Sequence, residues 1–186
     1  ETSEIITASM TTVHAATNTQ SILDTPPKAG KKDLRKVRAV FNNIIPTSTG
    51  AATALEEIIP EIRTVGFMAD AIRVPVNTVS LISLNLTFHT DFDENGSPVI
   101  NRDFINNIYK QAAEGAQKDL LIFSEQQNVS SDLMGCRAAI IIEGLENHTR
   151  TGFLSLSPEA IRRHGLNTAH DMNIPVTHAK IFGWYD

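Results

Sequence analysis

Residues 79–89 constrain the fold more than any other stretch, because Leu84, Leu86 and Phe88 alternate there with Asn85, Thr87 and His89. A period of two puts apolar side chains on one face of an extended chain and polar ones on the other. That is the pattern of a half-buried strand in an antiparallel or mixed sheet. A sheet with one apolar face needs a covering layer, and the chain contains amphipathic helices that can supply it. Ala51, Ala54, Leu55, Ile58, Ile59 and Ile62 recur at helical spacing behind Pro46-Thr47-Ser48-Thr49-Gly50, where a hydroxyl can cap the first turn. Pro60 falls inside that spacing and ends or kinks the helix. Phe104, Ile105, Ile108, Tyr109 and Ala112 predict a second helix that closes near Gly115. Ser157-Pro158-Glu159 opens a short third helix that stops at Gly165.

Four further segments read as strands. Residues 5–15 are rich in Ile, Thr and Val and deliver His14 at or near the strand end. Residues 66–73 form a short strand stopped by Pro75, which leaves Arg73 at its end. Residues 138–145 form a buried apolar strand, and residues 178–185 a final one. A turn falls at residues 91–98. Between the first strand and the first helix, residues 17–43 show no sustained periodicity and carry Pro26-Pro27, Gly30 and a basic run, so they predict a long irregular loop. Loops of that length are uncommon unless they serve a function. The expected fold is α+β, a mostly antiparallel mixed sheet with helices packed on one face. One domain spans residues 1–186, and residues 147–165 read as an insertion with its own helix.

Charge and apolar runs narrow the function. The net charge is −5, which gives no overall basic field for a nucleic acid backbone. No run of about 18 apolar residues is present, so no membrane partner is expected, and the first residues lack the order of a secretion signal; the expectation is a cytoplasmic protein. The single cysteine, Cys136, has no second Cys or His at metal-ligand spacing, so no metal is expected and its default role is a quiet buried thiol.

His14 alone is weak evidence of catalysis, although imidazole is the side chain that most readily exchanges protons near neutral pH. Its neighbours carry more. Ser9-Met10-Thr11-Thr12-Val13-His14-Ala15, then Thr17, Thr19 and Gln20, then Asn43-Ile44-Ile45-Pro46-Thr47-Ser48-Thr49-Gly50-Ala51-Ala52, then Arg73-Val74-Pro75 form an ordered series. Val129-Ser130-Ser131-Asp132 and the terminal Trp184-Tyr185-Asp186 continue it. In order and spacing this series resembles the catalytic domain of glyceraldehyde-3-phosphate dehydrogenases.

The resemblance implies that His14 is the base, that Thr17, Thr19 and Arg73 hold the substrate's phosphate, and that Thr49 and Gly50 hold inorganic phosphate. One of Arg35, Lys36 and Arg38, in the basic run that begins at Lys31, would contribute to phosphate binding and to contacts within a homotetramer; the choice among them stays open, and a solvated basic face is the plain alternative. The implied partners are a phosphorylated aldehyde and inorganic phosphate, and the implied cofactor is NAD, with NADP also possible. The family's nucleophilic cysteine precedes the first residue of this chain, and no Gly-x-Gly-x-x-Gly turn is present for a nucleotide. The chain is therefore expected to be an inactive fragment without its nucleotide-binding domain. Erythrose-4-phosphate dehydrogenase of the same fold is the alternative enzyme. A non-catalytic oligomerisation or anion-binding module is the alternative of another class.

Overall fold

The computed structural model describes residues 5–30 and 32–186; residues 1–4 and Lys31 of the basic run lie outside the described residues. Its eight strands are β1 (Ile5–His14), β2 (Ile45–Thr47), β3 (Gly66–Arg73), β4 (Ser80–His89), β5 (Leu121–Ser124), β6 (Ile140–Glu143), β7 (His148–Leu156) and β8 (Met172–Tyr185). They form one mixed sheet in the order β2-β3-β1-β4-β8-β6-β5, with β7 paired to β8 beside this path. The pairs β1/β3 and β5/β6 are parallel, and the others are antiparallel. The fold is α+β with a mostly antiparallel mixed sheet, as the alternation in β4 predicts.

Three α-helices accompany the sheet: α1 (Ala51–Ile58), α2 (Arg102–Glu114) and α3 (Pro158–Arg163). Helix α2 begins where the Asn101 side chain accepts a hydrogen bond from the Phe104 amide, satisfying one of the unpaired donors of its first turn. Its Ile105 and Tyr109 pack on Leu84, Leu86, Ile142, Ala179 and Ile181. These residues lie on one face of β4, β8 and β6, so the core sits between that face and α2. Burial pushes the Tyr109 hydroxyl's pKa up. Gly183 of β8 is needed for this packing, because a Cβ there would lie 2.8 Å from Ile140 Cδ1.

The structure departs from the expected elements in several places. Helix α1 has Gly50 at its cap position, and the Thr49 hydroxyl accepts from the Ala51 amide at 3.1 Å. The helix ends before Pro60, as expected of proline, but the chain continues in a 3-10 turn at Pro60–Thr64, so Ile59 and Ile62 of the helical spacing lie outside α1. The final strand starts at Met172, six residues earlier than expected at 178, and runs straight through Pro175. Pro175 offers only its carbonyl, which the Thr90 amide uses at 3.3 Å. Strands β2, β5 and β7 have no counterpart among the strands that the sequence pattern predicts. Residues 147–165 supply β7 and α3, and Ile161 of α3 is buried. The strand expected over 138–145 is confined to Ile140–Glu143, and Leu145 beyond it is exposed. Cys136 is exposed, which corrects the expectation of a buried thiol. It follows Gly135, whose φ of +75° makes a turn at the surface between a 3-10 turn at Ser130–Leu133 and β6. No helix is long and apolar enough to cross a membrane among the described residues.

Candidate active site

The parallel register of β1 and β3 pairs His14 with Arg73, each the last residue of its strand. The two strands therefore end together, and their last side chains meet. Arg73 Nη1 lies 3.0 Å from His14 Nδ1 and also donates to the Ala15 carbonyl at 3.0 Å. His14 Nδ1 is 3.0 Å from that same carbonyl. A guanidinium only donates, so while Arg73 donates to Nδ1 that nitrogen must accept, and the neutral ring carries its proton on Nε2. If Arg73 turns away, Nδ1–H can donate to Ala15 instead, and Nε2 becomes the free acceptor. The arrangement has two proton placements, and the position of one guanidinium selects between them.

Three supports hold this corner. The Ala15 amide donates to the buried Ser80 Oγ at 3.3 Å, which ties the end of β1 to the start of β4. The Val74 amide donates to the His14 carbonyl at 3.0 Å, and the Ala16 amide to Val76 at 2.9 Å. The Tyr185 ring meets the His14 ring edge-on, with centroids 5.9 Å apart and planes at 87°. Sequence reasoning singled out Trp184-Tyr185-Asp186 only as a terminal motif. The contact arises because β4 pairs Ser80 with Tyr185 on one side and Leu81 with Val13 on the other.

Just before β4, Val79 has φ of +62°, costly for a β-branched residue, and it is buried. Asp186 fastens this residue: its Oδ1 accepts from Thr78 Oγ1 at 2.6 Å and from the Val79 amide at 3.2 Å. Those hydrogen bonds, the hydroxyl's first, hold the Asp186 carboxyl below the usual carboxylate range. Trp184 is fixed from the far side, where its indole N–H donates to Glu143 Oε2 at 3.0 Å. Glu143 is buried, and Asn128 Nδ2 donates to the same oxygen at 2.8 Å.

The other candidate residues lie on the segments that follow β1 and β2. Thr17 and Thr19 lie within 3.0 Å of each other through their hydroxyl oxygens, in an exposed turn three and five residues past His14. Strand β2 sets Ile45 opposite Arg73 and then runs back along β3 to Thr47 opposite Ala71, so Thr49 and Gly50 follow at the start of α1. A Cβ on Gly50 would meet nothing within 4 Å, and the backbone there is open to a ligand. Among the described residues, no hydrogen bond joins Thr17, Thr19, Thr49 or Gly50 to His14 or Arg73.

In the loop, Arg35 is held by a forked contact, donating from Nε to Asp33 Oδ1 at 2.8 Å and from Nη2 to Oδ2 at 3.0 Å. The Arg35 side chain and then its amide pull the Asp33 carboxyl down to about 2. Arg38 donates to Asp24 at 3.2 Å, and the Ala39 amide donates to the same oxygen at 2.7 Å. The Ala39 amide first, and then Arg38, hold Asp24 below the usual carboxylate range. Lys36 has no carboxylate within 4.0 Å among the described residues. No group of three His, Cys, Asp or Glu side chains is placed to hold a metal among the described residues.

Comparison with known proteins adds to this geometry. The chain is 39% identical over 143 residues to glyceraldehyde-3-phosphate dehydrogenase 1 of Bacillus cereus, covering 77% of this chain and 39% of that protein. It is 40% identical over 139 residues to glyceraldehyde-3-phosphate dehydrogenase 2 of Trichormus variabilis, covering 75% of this chain and 37% of that one. With glyceraldehyde-3-phosphate dehydrogenase 2 of Streptomyces avermitilis the similarity is 35% over 183 residues, 98% of this chain and 43% of the relative. That last span is long enough to take in residues 147–165. The chain spans about two fifths of the length of the curated relatives it matches. The profile of the glyceraldehyde 3-phosphate dehydrogenase C-terminal domain matches residues 1–154, and the chain belongs to that family.

Proposed function

We propose that this chain is the catalytic-domain part of a phosphorylating, NAD-dependent glyceraldehyde-3-phosphate dehydrogenase, which oxidises a phosphorylated aldehyde through a thioester to an acyl phosphate. The observation that carries the reading is the meeting of His14 with Arg73 at the paired ends of β1 and β3. An acid–base group beside a fixed cation suits a substrate that must lose a proton while its phosphate is held.

In this reading the substrate's phosphate draws Arg73 out of its contact with His14, and Thr17 and Thr19 add hydroxyl donors. His14 Nδ1–H then donates to the Ala15 carbonyl, and Nε2 is free to take the proton from the hydroxyl at the reacting carbon. Substrate binding would thereby switch the imidazole into the tautomer a base requires. Thr49, Gly50 and the first amides of α1 present donors that suit inorganic phosphate. Arg35, Lys36 and Arg38 would serve phosphate or subunit contacts, and of these Lys36 is the one without a carboxylate partner among the described residues. The described residues contain no strand, glycine-rich turn and helix of the kind that seats a dinucleotide. The residues here do not fit NAD or NADP by themselves; the thiol and the dinucleotide site would belong to the rest of the protein. The reading extends to a cytoplasmic homotetramer, to be checked by sedimentation and localisation of the whole protein.

The test is NAD reduction with glyceraldehyde-3-phosphate by the whole protein, with and without phosphate, against His14→Ala. Loss of about 100-fold or more in turnover, the scale of a general base, is expected. An unchanged rate would remove His14 from the chemistry. If phosphate leaves the breakdown of the acyl-enzyme unchanged, the reaction ends in hydrolysis, as in the erythrose-4-phosphate enzyme.

A further inference from the structure

The series of residues that follows β1 includes Gln20, to which the proposed function gives no part. Its backbone amide closes a turn, donating to the Thr17 carbonyl at 3.1 Å, and the residue is only 7% exposed. Neither Oε1 nor Nε2 of the buried side chain has a hydrogen-bond partner among the described residues. An amide shut away from water in this state is costly, and it calls for a physical reason. Burial of apolar surface does not supply one. Ile22 and Leu23, just beyond, are 69% and 74% exposed, whereas a loop placed by burial alone would turn one of them inward and the glutamine out.

The donors near Gln20 are occupied by one another. The Thr17 and Thr19 hydroxyl oxygens lie 3.0 Å apart, and Arg73 Nη1 is taken up by His14 and the Ala15 carbonyl. Each hydroxyl has a single proton, and one of the two is committed to the pair, so both can donate to a phosphoryl group only when the pair parts. Parting them alters the turn that the Gln20 amide closes. The next residue carries the movement onward: the Ser21 amide donates to the Lys36 carbonyl at 3.4 Å, and the Val40 amide donates to Ser21 at 3.0 Å. Gln20 therefore stands between the two threonines and the basic run.

We propose that Gln20 is a positioning residue for the substrate's phosphate. The empty turn leaves its amide without partners; when Thr17 and Thr19 part to take the phosphoryl group, the turn resettles and the amide gains backbone partners from it. This rests on the assignment of Thr17 and Thr19 to that phosphate. Gln20 touches no substrate atom. It acts through the difference between two arrangements, because a group unpaired in one and paired in the other biases the turn toward the second. A ligand that requires the second arrangement then binds more tightly. An apolar side chain of similar length would make the empty turn more stable and the bound turn less favoured.

The test compares the whole protein with its Gln20→Met variant on glyceraldehyde-3-phosphate and on unphosphorylated glyceraldehyde. The variant should unfold at an equal or higher temperature, because the orphaned amide is gone. KM for glyceraldehyde-3-phosphate should rise about tenfold with kcat within about threefold, whereas kcat/KM for glyceraldehyde should stay within about twofold. A role confined to holding the loop together would lower the melting temperature and impair both aldehydes alike, and that result would overturn the proposal. So would an unchanged KM. A second measurement needs no turnover. The Gln20 side-chain NH2 resonances, identified by their loss in Gln20→Met, should move downfield saturably with glycerol 3-phosphate and not with chloride. Resonances that stay fixed while the Thr17 and Thr19 amides respond would overturn the proposal and leave the proposed function intact. Saturable movement in a protein that leaves NAD unreduced would do the reverse, removing the function and keeping the role of Gln20.

Discussion

The strand-end pair of His14 and Arg73 and the loop of residues 17–43 both hold candidate phosphate ligands, but different forces place them. His14 and Arg73 are set by backbone ladders: β1 is paired on both sides, and β3 lies between β1 and β2. Side-chain position there follows from register, and a register shift would turn every residue of the strand to the wrong face. Among its described residues the loop has two 3-10 turns, at Arg35–Val37 and Val40–Asn42; it is fastened by exposed carboxylates at Asp24 and Asp33 and by a few backbone contacts, the Thr25 amide to the Val37 carbonyl at 2.9 Å and the Val40 amide to Ser21 at 3.0 Å. Exposed pairs of this kind contribute little to global stability. One region is positioned by sheet register, the other by turns and surface ties along an irregular chain.

The largest expected effect separates the two regions by function. Arg73→Ala in the whole protein should raise KM for the phosphorylated aldehyde by about 30- to 100-fold, the loss expected for a charge-assisted contact. Arg38→Ala should change it by less than about threefold, because its guanidinium is exposed and already paired to Asp24. Equal losses would erase the distinction. Next comes packing. Gly183→Val should cost about 1–3 kcal/mol in urea unfolding, since its side chain would press on Ile140 and Ile142, whereas Ala29→Val in the exposed loop should stay within about 0.5 kcal/mol.

Ser80→Ala sharpens the comparison further by leaving the Ala15 amide without its partner, at about 1 kcal/mol. Asp24→Asn should leave the melting temperature unchanged and speed proteolytic cleavage within residues 17–43. The smallest effect is on acid behaviour. Asp33 is held at about 2 in the folded chain, so the unfolded chain takes up its proton first as pH falls. Its contribution is complete above the free carboxylate range near pH ~4 and is lost as pH falls toward about 2. Backbone amide shifts around Arg35 should therefore hold steady from neutral pH to about 4; movement before that point would mean the clamp is absent in solution.

Much of the rigid region was legible in sequence. The alternation in β4, the Ile- and Thr-rich β1, and the stop at Pro75 specify strands whose ends carry His14 and Arg73. That the two ends meet was not legible from pattern, because it depends on β1 and β3 pairing in parallel across a loop and a helix. The resemblance to a known series of motifs supplied what periodicity could not. Strand β7 escaped notice for a physical reason: His148 and Arg150 on one face and Thr149 and Thr151 on the other give no apolar alternation. Pro175 concealed the first half of β8 in the same way, because proline ordinarily argues against a strand interior. In the loop, the basic run was visible, but the assignment of Asp33 to Arg35 and Asp24 to Arg38 required coordinates.

The fastening of Val79 by Asp186 joins positions 107 residues apart, and the other ties of this corner are also long: 59 positions from His14 to Arg73 and 65 from Ala15 to Ser80. None of these contacts can form while neighbouring segments are still searching locally, since each requires closure of a long loop before it returns any stabilisation. The corner is therefore expected to be assembled late in folding, once the β1/β3 and β4/β8 ladders have closed around it. Amide exchange at Ala15 would then keep pace with that at Ile181, so the site would open only when the sheet that carries it opens.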